Sequence, residues 1–367
     1  MKLHSNFRCT FIGLGLIGGS IAKALKYAYP DCYLIAYTRH PEKLKEAIAE
    51  HTLNEISTDM EQSVKESDLI FLCAPVTTNL TNLARIAPHI KENALITDVG
   101  SVKSNIHEEI RRLGLEKSFI GGHPMAGSEK TGYSSSNAKL LENSFYILTP
   151  TEKVSQEWVD DYYEMIQSMK AIPIIRTPNS HDFATAAVSH VPHLIAGALV
   201  QLVMDNDTED AFMKTIAAGG FKDITRIASS SPEMWQSICE SNAGNIIDLM
   251  DRYITQLITL NQAMKEKDFD KIGELFATVG PYRQSITDRS GSTLQRIYRL
   301  FVDIPDERGA IAKVASLLAD NGINIQNIGI THNREHEQGV LYIEFYDEDA
   351  KQMAIPVLEN NHYPIFS

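Results

Sequence analysis

The stretch GGHPMAGSEKTGY, residues 121 to 133, sets His123 and Pro124 among Gly121, Gly122 and Gly127 and follows them with Ser128, Glu129 and Lys130. It is too polar for a core segment and too rich in glycine for a plain surface loop. An imidazole titrates near neutral pH and suits a general base or a hydrogen-bond acceptor. FIGGHP reads as a strand, so His123 is expected near the crevice at the strand ends, where ligands bind in open α/β sheets. DVGSVK, residues 98 to 103, ends another strand of that sheet, where Ser101 can bond a substrate hydroxyl or cap the following helix. SHVPH puts His190 and His193 on one helix face. With no third ligand of the H-E-x-x-H kind, they read as a ligand-facing pair beside a capping Ser189, not as a metal site. In AAGGFKDITRIASSSPEMW, Gly219 and Gly220 are expected to break a helix, and Asp223 and Arg226 stand at i and i+3. That spacing gives a helical ion pair, or it leaves Arg226 to grip a substrate carboxylate with its two-pronged guanidinium.

A second group of residues speaks of a nucleotide. GLGLIG, with Gly13, Gly15 and Gly18, follows a predicted strand and opens a helix near the start of a βαβ unit. Gly13 permits the tight turn, Gly15 lets backbone approach a pyrophosphate, and Gly18 lets the helix pack on the sheet. Leu16 and Ile17 within this turn, and Ala74 and Pro75 in SDLIFLCAPV, join the cofactor-binding set. The second strand ends AYTRHPEK, with Thr38 and Arg39 where a carboxylate would bind the ribose 2'-hydroxyl of NAD. Arg39 can take the 2'-phosphate of NADP, stack on adenine or face solvent, so the choice of cofactor stays open.

The elements that must hold these residues follow from periodicity. Apolar runs FRCTFIG, CYLIAYT, SDLIFLCAPV, NALITDVGS, FIGGHP, SFYILTP and AIPIIRT alternate with amphipathic helices, which indicates a doubly wound, mostly parallel sheet over residues 1–178. From His181 the pattern is helical, beginning with the long stretch HDFATAAVSHVPHLIAGALVQLVMD, and a helical substrate and dimerisation domain is expected over 179–286. A polar linker, 287–296, leads to a β-α-β-β-α-β unit over 297–367, the ferredoxin-like split βαβ order.

Composition bounds the partners. The net charge of −13 argues against non-specific nucleic-acid binding and against an anionic membrane surface. The 43% hydrophobic and 22% charged fractions are those of an ordinary soluble globular protein. Cys9, Cys32, Cys73 and Cys239 are scattered, which favours buried thiols over disulfides or a zinc cluster. No run reads as a signal peptide or as long enough to cross a bilayer, so a cytoplasmic protein is the expectation.

GLGLIGGS, DVGSVK, GGHPMAGSEKTG, VSHVPH and GGFKDITRIAS, in that order, closely resemble the prephenate dehydrogenase (TyrA) family from about Phe7 to Tyr282, and VDIPDERGAIAKVASLLADNGINIQNI resembles an ACT regulatory domain. The resemblance implies oxidative decarboxylation of prephenate to 4-hydroxyphenylpyruvate and CO2, with hydride transfer to NAD or NADP. It implies that His123 takes the proton of the 4-hydroxyl and that Ser101 shares that hydroxyl. Arg226 would bind substrate carboxylate, with His190, Ser189, His193 and Ser128 around the substrate. Glu129, Asp223 and the pair His181–Asp182 would form an ionic network that gates the pocket. L-tyrosine is the effector expected at the ACT domain, through Gly309, Asn321 and Ile323, and a homodimer is expected. Arogenate, the amino analogue, is the competing substrate; a catalytically dead amino-acid sensor is the non-enzyme alternative.

Overall fold

A computed structural model describes residues 6–128, 130–289, 298–305, 307–331 and 339–366. The first compact body ends at Leu257 and the second begins at Ile258.

The first body opens with alternating strands and helices: β1 (Arg8–Ile12), α1 (Leu16–Ala28), β2 (Tyr33–Tyr37), α2 (Lys45–Ala49), β3 (Glu55–Ser57), α3 (Met60–Val64), β4 (Leu69–Leu72), α4 (Val76–Ile86), β5 (Leu95–Asp98) and α5 (Ser104–Arg112). The five strands lie in the order β3-β2-β1-β4-β5, all parallel. This is a nucleotide-binding Rossmann arrangement, with its switch point between β1 and β4. Both faces are covered, so central β4 is apolar throughout, with every residue of LIFL buried; edge strand β5 is also buried, although its LITD ends on polar Thr97 and Asp98. Phe11 and Phe71 stack at 5.1 Å across the two middle strands. The three-residue β3 and the short α3 carry too little periodicity to be seen in sequence.

The expected single sheet divides. β6 (Ile120–Pro124), β7 (Phe145–Pro150) and β8 (Ile172–Ile175) make a second sheet, with β6–β7 antiparallel and β7–β8 parallel. Among the described residues, the isolated parallel pair Ile96–Phe119 is the one bridge from β5 toward β6. Beyond it the backbone of His123 pairs with Ile147 instead. Helix α6 (Gln156–Ser168) covers this sheet, and Tyr162 reaches Thr97 of β5 with a 3.0 Å hydroxyl contact.

Helices then follow without strands. α7 (Pro178–Thr185) runs into a π turn at Ala186–His190 and on into α8 (Val191–Asn206). Pro192 explains the widened turn, because it has no N–H to continue the regular ladder. α9 (Phe212–Ile216), α10 (Gly219–Thr225), α11 (Pro232–Ser241) and α12 (Ala243–Glu266) complete this part. Gly219 and Gly220 form the first turn of α10, so the break falls at Ala217 and Ala218, just before them. By length and composition Pro178–Asn206 can cross a membrane, with a mean hydropathy of 1.5 over its best window, contrary to the expectation that no run suffices. In sequence that run is interrupted by His181, Asp182, His190 and His193; continuity through the π turn makes it one helix.

The second body contains α13 (Phe269–Arg289), then β9 (Tyr298–Ile304), α14 (Ala310–Asp320), β10 (Ile325–Thr331), β11 (Gly339–Phe345), α15 (Glu348–Asn360) and β12 (Ile365–Phe366). The strands lie in the order β10-β11-β9-β12, with every pair antiparallel, which is the expected split βαβ fold. Its core is Leu300, Val302, Leu341, Ile343 and Phe345 against Val314, Leu318, Ala354 and Leu358.

Candidate active site

The switch-point crevice is built by two turns. After β1, Gly13 has φ +88°, a left-handed backbone that any side chain would strain. A Cβ on Gly15 would meet nothing within 4 Å, so the ground above the N-terminus of α1 is open. α1 has no side-chain cap, and its first amides are available to an anion. A Cβ on Gly18 would lie 3.1 Å from Cys73, so this glycine sets the packing of helix on sheet. After β4, buried Asn79 accepts from Ala74 N at 3.0 Å and donates to Leu72 O at 3.2 Å, fixing the turn at Ala74 and Pro75. Leu16 and Ile17 are half-buried in the opposing turn. At the end of β2 Thr38 is half-buried and accepts from His40 N at 3.0 Å, while Arg39 is exposed. The open glycine turn and uncapped helix fit a dinucleotide pyrophosphate.

His123 stands at the end of β6, half-buried. Gly121 and Gly122 precede it for reasons of space. A Cβ on Gly121 would come within 2.3 Å of Thr149 Oγ1, and one on Gly122 within 2.7 Å of Asp98 O. Beneath them lies a buried ion pair that sequence reading passed over. Lys103 is wholly buried, its ammonium bonded to Asp98 Oδ2 and, at 2.7 Å, to Gly122 O. Asp98 also accepts from Gly100 N at 2.9 Å and Gly122 N at 3.3 Å. The pair ties the Ser101 turn to the residue before His123. Ser101 itself is half-buried and does not cap α5.

The His123 ring has a side-chain partner: Nδ1 lies 2.8 Å from His181 Nε2. His181 Nδ1 lies in turn 2.8 Å from Asp182 Oδ1. Both His181 and Asp182 are buried. Burial first, then the neighbouring His181, Lys103 and His190, hold the His123 pKa well below its usual value. Burial likewise lowers His181, against the opposing pull of Asp182. The His123 ring is therefore neutral at pH 7.

His190, the last residue of the π turn, is close by, and His193 follows in the first turn of α8. His190 is buried, and burial lowers it to about 4. Its Nδ1 is 3.2 Å from Asn242 Nδ2, which also donates to Asp182 O at 2.8 Å. His193 donates from Nδ1 to Ser189 O at 2.8 Å and packs, tilted by 30°, against Trp235 at 4.1 Å between centroids. Ser189 thus serves through its carbonyl within a continuous helix and caps nothing. Asn242 and Trp235 went unread in the sequence, because single polar or aromatic helix residues carry no spacing signal.

Other expected residues are not brought into this cluster. Arg226 and Asp223 are both exposed. The charge of Arg226 still reaches His193, whose pKa it helps to lower after burial. Ser128 is exposed and accepts from Lys130 N at 3.2 Å. Glu129 lies outside the described residues. Among the described residues no group of three or more His, Cys, Asp or Glu is arranged to hold a metal, and Cys9, Cys32, Cys73 and Cys239 are free thiols.

In the second body Gly309 precedes α14 with φ +88°, and exposed Asn321 ends that helix, donating to Leu317 O at 2.8 Å. Ile323 is buried and, with Gly322, Asn324, Tyr346, Asp347 and Met353, lines an open groove of about 410 Å³. Gly309 and Asn321 are not among its walls.

The prephenate dehydrogenase nucleotide-binding domain matches residues 21–175, the prephenate dehydrogenase dimerization domain 177–278, and the ACT domain 298–354. Prephenate dehydrogenase of Bacillus subtilis (strain 168) is 35% identical over 349 residues, covering 95% of this chain and 94% of the relative. The crystal structure of prephenate dehydrogenase from A. aeolicus, in complex with hydroxyphenyl propionate and NAD+, is 30% identical with a TM-score of 0.73, covering 78% of this chain and 100% of that one. The structure of Synechocystis arogenate dehydrogenase is 28% identical with a TM-score of 0.67, covering 76% and 99%. With a nucleotide-binding sheet, a hydrogen-bonded chain from His123 through His181 to Asp182, helices following in sequence and relatives matched along nearly the whole length, the chain belongs to the prephenate dehydrogenase family.

Proposed function

We propose that this protein oxidises and decarboxylates prephenate to 4-hydroxyphenylpyruvate and CO2, with NAD as hydride acceptor. The observation that carries the reading is neutral His123, held 2.8 Å from His181 at the edge of the nucleotide-binding fold. The nicotinamide, when bound, accepts hydride from the carbon that bears the hydroxyl. His123 draws off the hydroxyl proton as the carbonyl forms, and Ser101 orients that hydroxyl. The bond from the ring to its carboxylate breaks, CO2 leaves, and the bond's electrons complete the aromatic ring as the former carbonyl oxygen takes the proton back from His123, so the reaction is downhill once hydride leaves. The protein must chiefly orient the substrate and supply a base. Arg226, whose charge reaches His193, takes a substrate carboxylate, with His190, Ser189, Ser128, Glu129 and Asp223 around the substrate.

Gly13, Gly15, Leu16, Ile17, Gly18, Ala74 and Pro75 hold the dinucleotide. NAD is favoured by the bound NAD+ of the A. aeolicus structure. Arg39, exposed at the end of β2, is the residue that would admit NADP. Arogenate is the second reading, favoured by the likeness to the Synechocystis enzyme. Parallel absorbance assays at 340 nm with prephenate or arogenate, and with NAD or NADP, test both points. Turnover of prephenate with NAD is expected; activity only with arogenate would replace the substrate, and none with either would end the enzymatic reading.

We also propose a homodimer in the cytoplasm, regulated by L-tyrosine at the ACT domain through Gly309, Asn321 and Ile323. The exposed Val188, Leu202, Met204, Phe212 and Ile216 of the helical part support a self-associating face.

A further inference from the structure

The relay at His123 ends on a carboxylate that has a second set of partners. Asp182 Oδ1 accepts from Lys103 N at 2.7 Å as well as facing His181, and Oδ2 accepts from Ser104 N at 2.8 Å. These amides open α5, which has no cap from its own neighbourhood. A carboxylate there satisfies two orphan donors and meets the positive end of the helix.

The bonding order follows from what each group can do. Backbone amides only donate, so both Asp182 oxygens must act as acceptors. Asp182 is ionised, its carboxyl held below its usual range by His181 and the Ser104 and Lys103 amides despite burial. His181 Nδ1 must then carry the proton that faces Oδ1. A neutral His181 is left with a lone pair on Nε2. His123 Nδ1, 2.8 Å away, must therefore donate, which leaves the lone pair of His123 on Nε2. The other charges around this chain are Lys103 and Asp98, paired with each other, while His190 is neutral.

We propose that Asp182 is a positioning residue: from two hydrogen bonds away it fixes the His123 tautomer that leaves Nε2 free to accept a proton, and by capping α5 it makes that tautomer depend on the docking of α7 against α5. The inference rests on the reading of His123 as the base.

The test uses the full-length protein with 15N-labelled histidine and four variants: Asp182→Asn, His181→Phe, His181→Gln and His123→Asn. The His123→Asn spectrum assigns the His123 signals. In the unmodified protein the His123 proton is expected on Nδ1. In Asp182→Asn and His181→Phe the two tautomers mix, and kcat falls about 10²- to 10³-fold while dinucleotide Kd stays within about threefold. His181→Gln places an amide oxygen where Nε2 stood, so it keeps Nδ1–H on His123 and turns over at least about tenfold faster than His181→Phe. An unchanged His123 tautomer in Asp182→Asn and His181→Phe would overturn the proposal, as would equal activities of the two His181 variants. If Asp182→Asn fails to fold, the His181 pair, which retains the cap, decides alone. Retained activity in His123→Asn would remove the base assignment instead, and the tautomer result would stand apart from it.

Discussion

Replacing Lys103 with Met removes the ammonium from beneath His123 and leaves its partners in place. Lys103 has no exposure, and the Asp98 side chain only 3%. The carboxylate would keep its bonds from Gly100 N and Gly122 N but lose its counter-charge, and Gly122 O would lose its donor. Breaking a buried pair from one side costs about 3–5 kcal/mol, because it strands the remaining charge. With a urea slope near 3 kcal/mol per M, a loss of about 4 kcal/mol moves the unfolding midpoint down by about 1.3 M. Fluorescence suits the measurement, since both tryptophans, Trp158 and Trp235, lie in the first body. Lys103→Met with Asp98→Asn no longer strands a charge and should recover half or more of the shift. A single-variant shift under about 0.3 M, or no recovery in the double variant, would refute the claim that this pair locks β6 to the Ser101 turn.

Three further outcomes are expected. Burial, with a smaller effect of Lys103, lowers His107 to about 4, and its Nε2 meets Thr149 Oγ1 at 2.9 Å. Because the folded value lies below the unfolded one, His107 binds its proton mainly in the unfolded chain as pH falls below 6.5. Stability should therefore drop between pH 6.5 and 4, and His107→Gln should make the slope shallower by up to about 1.4 kcal/mol per pH unit; an unchanged slope would refute this. Gly121→Ala drives a methyl toward Thr149 Oγ1 and should cost about 1–3 kcal/mol, while Gly127→Ala, with nothing within 4 Å, should cost under about 0.5. Tyrosine should inhibit the full chain, and truncation after Thr293 should abolish that inhibition in a folded enzyme; retained inhibition would place the effector elsewhere.

Sequence exposed those features that rest on local order. The glycine fingerprint announces its own turn, and Gly13 makes that turn with a left-handed backbone at φ +88°. The split βαβ order of the second body is written in alternating apolar runs and is found with all its strands antiparallel. Partnerships across the chain were not legible. His123 meets His181 58 residues on, and Lys103 N meets Asp182 79 residues on. The second sheet depends on whether β6 pairs with β5 or β7, which no periodicity decides. Gly121 and Gly122 lie in the strand that FIGGHP suggests, but the reason they are small, the close approach of Thr149 and Asp98, is not written in the sequence. Arg226 and Asp223 show the converse: their spacing suggests an ion pair, and the structure leaves both exposed.

The central claim is that His123 removes the substrate's hydroxyl proton. Single-turnover hydride transfer from prephenate, followed at 340 nm with dinucleotide Kd measured in parallel, compares the unmodified enzyme with His123→Asn. The rate should fall about 10²- to 10⁴-fold with Kd unchanged. A rate within threefold of the unmodified enzyme would contradict the account.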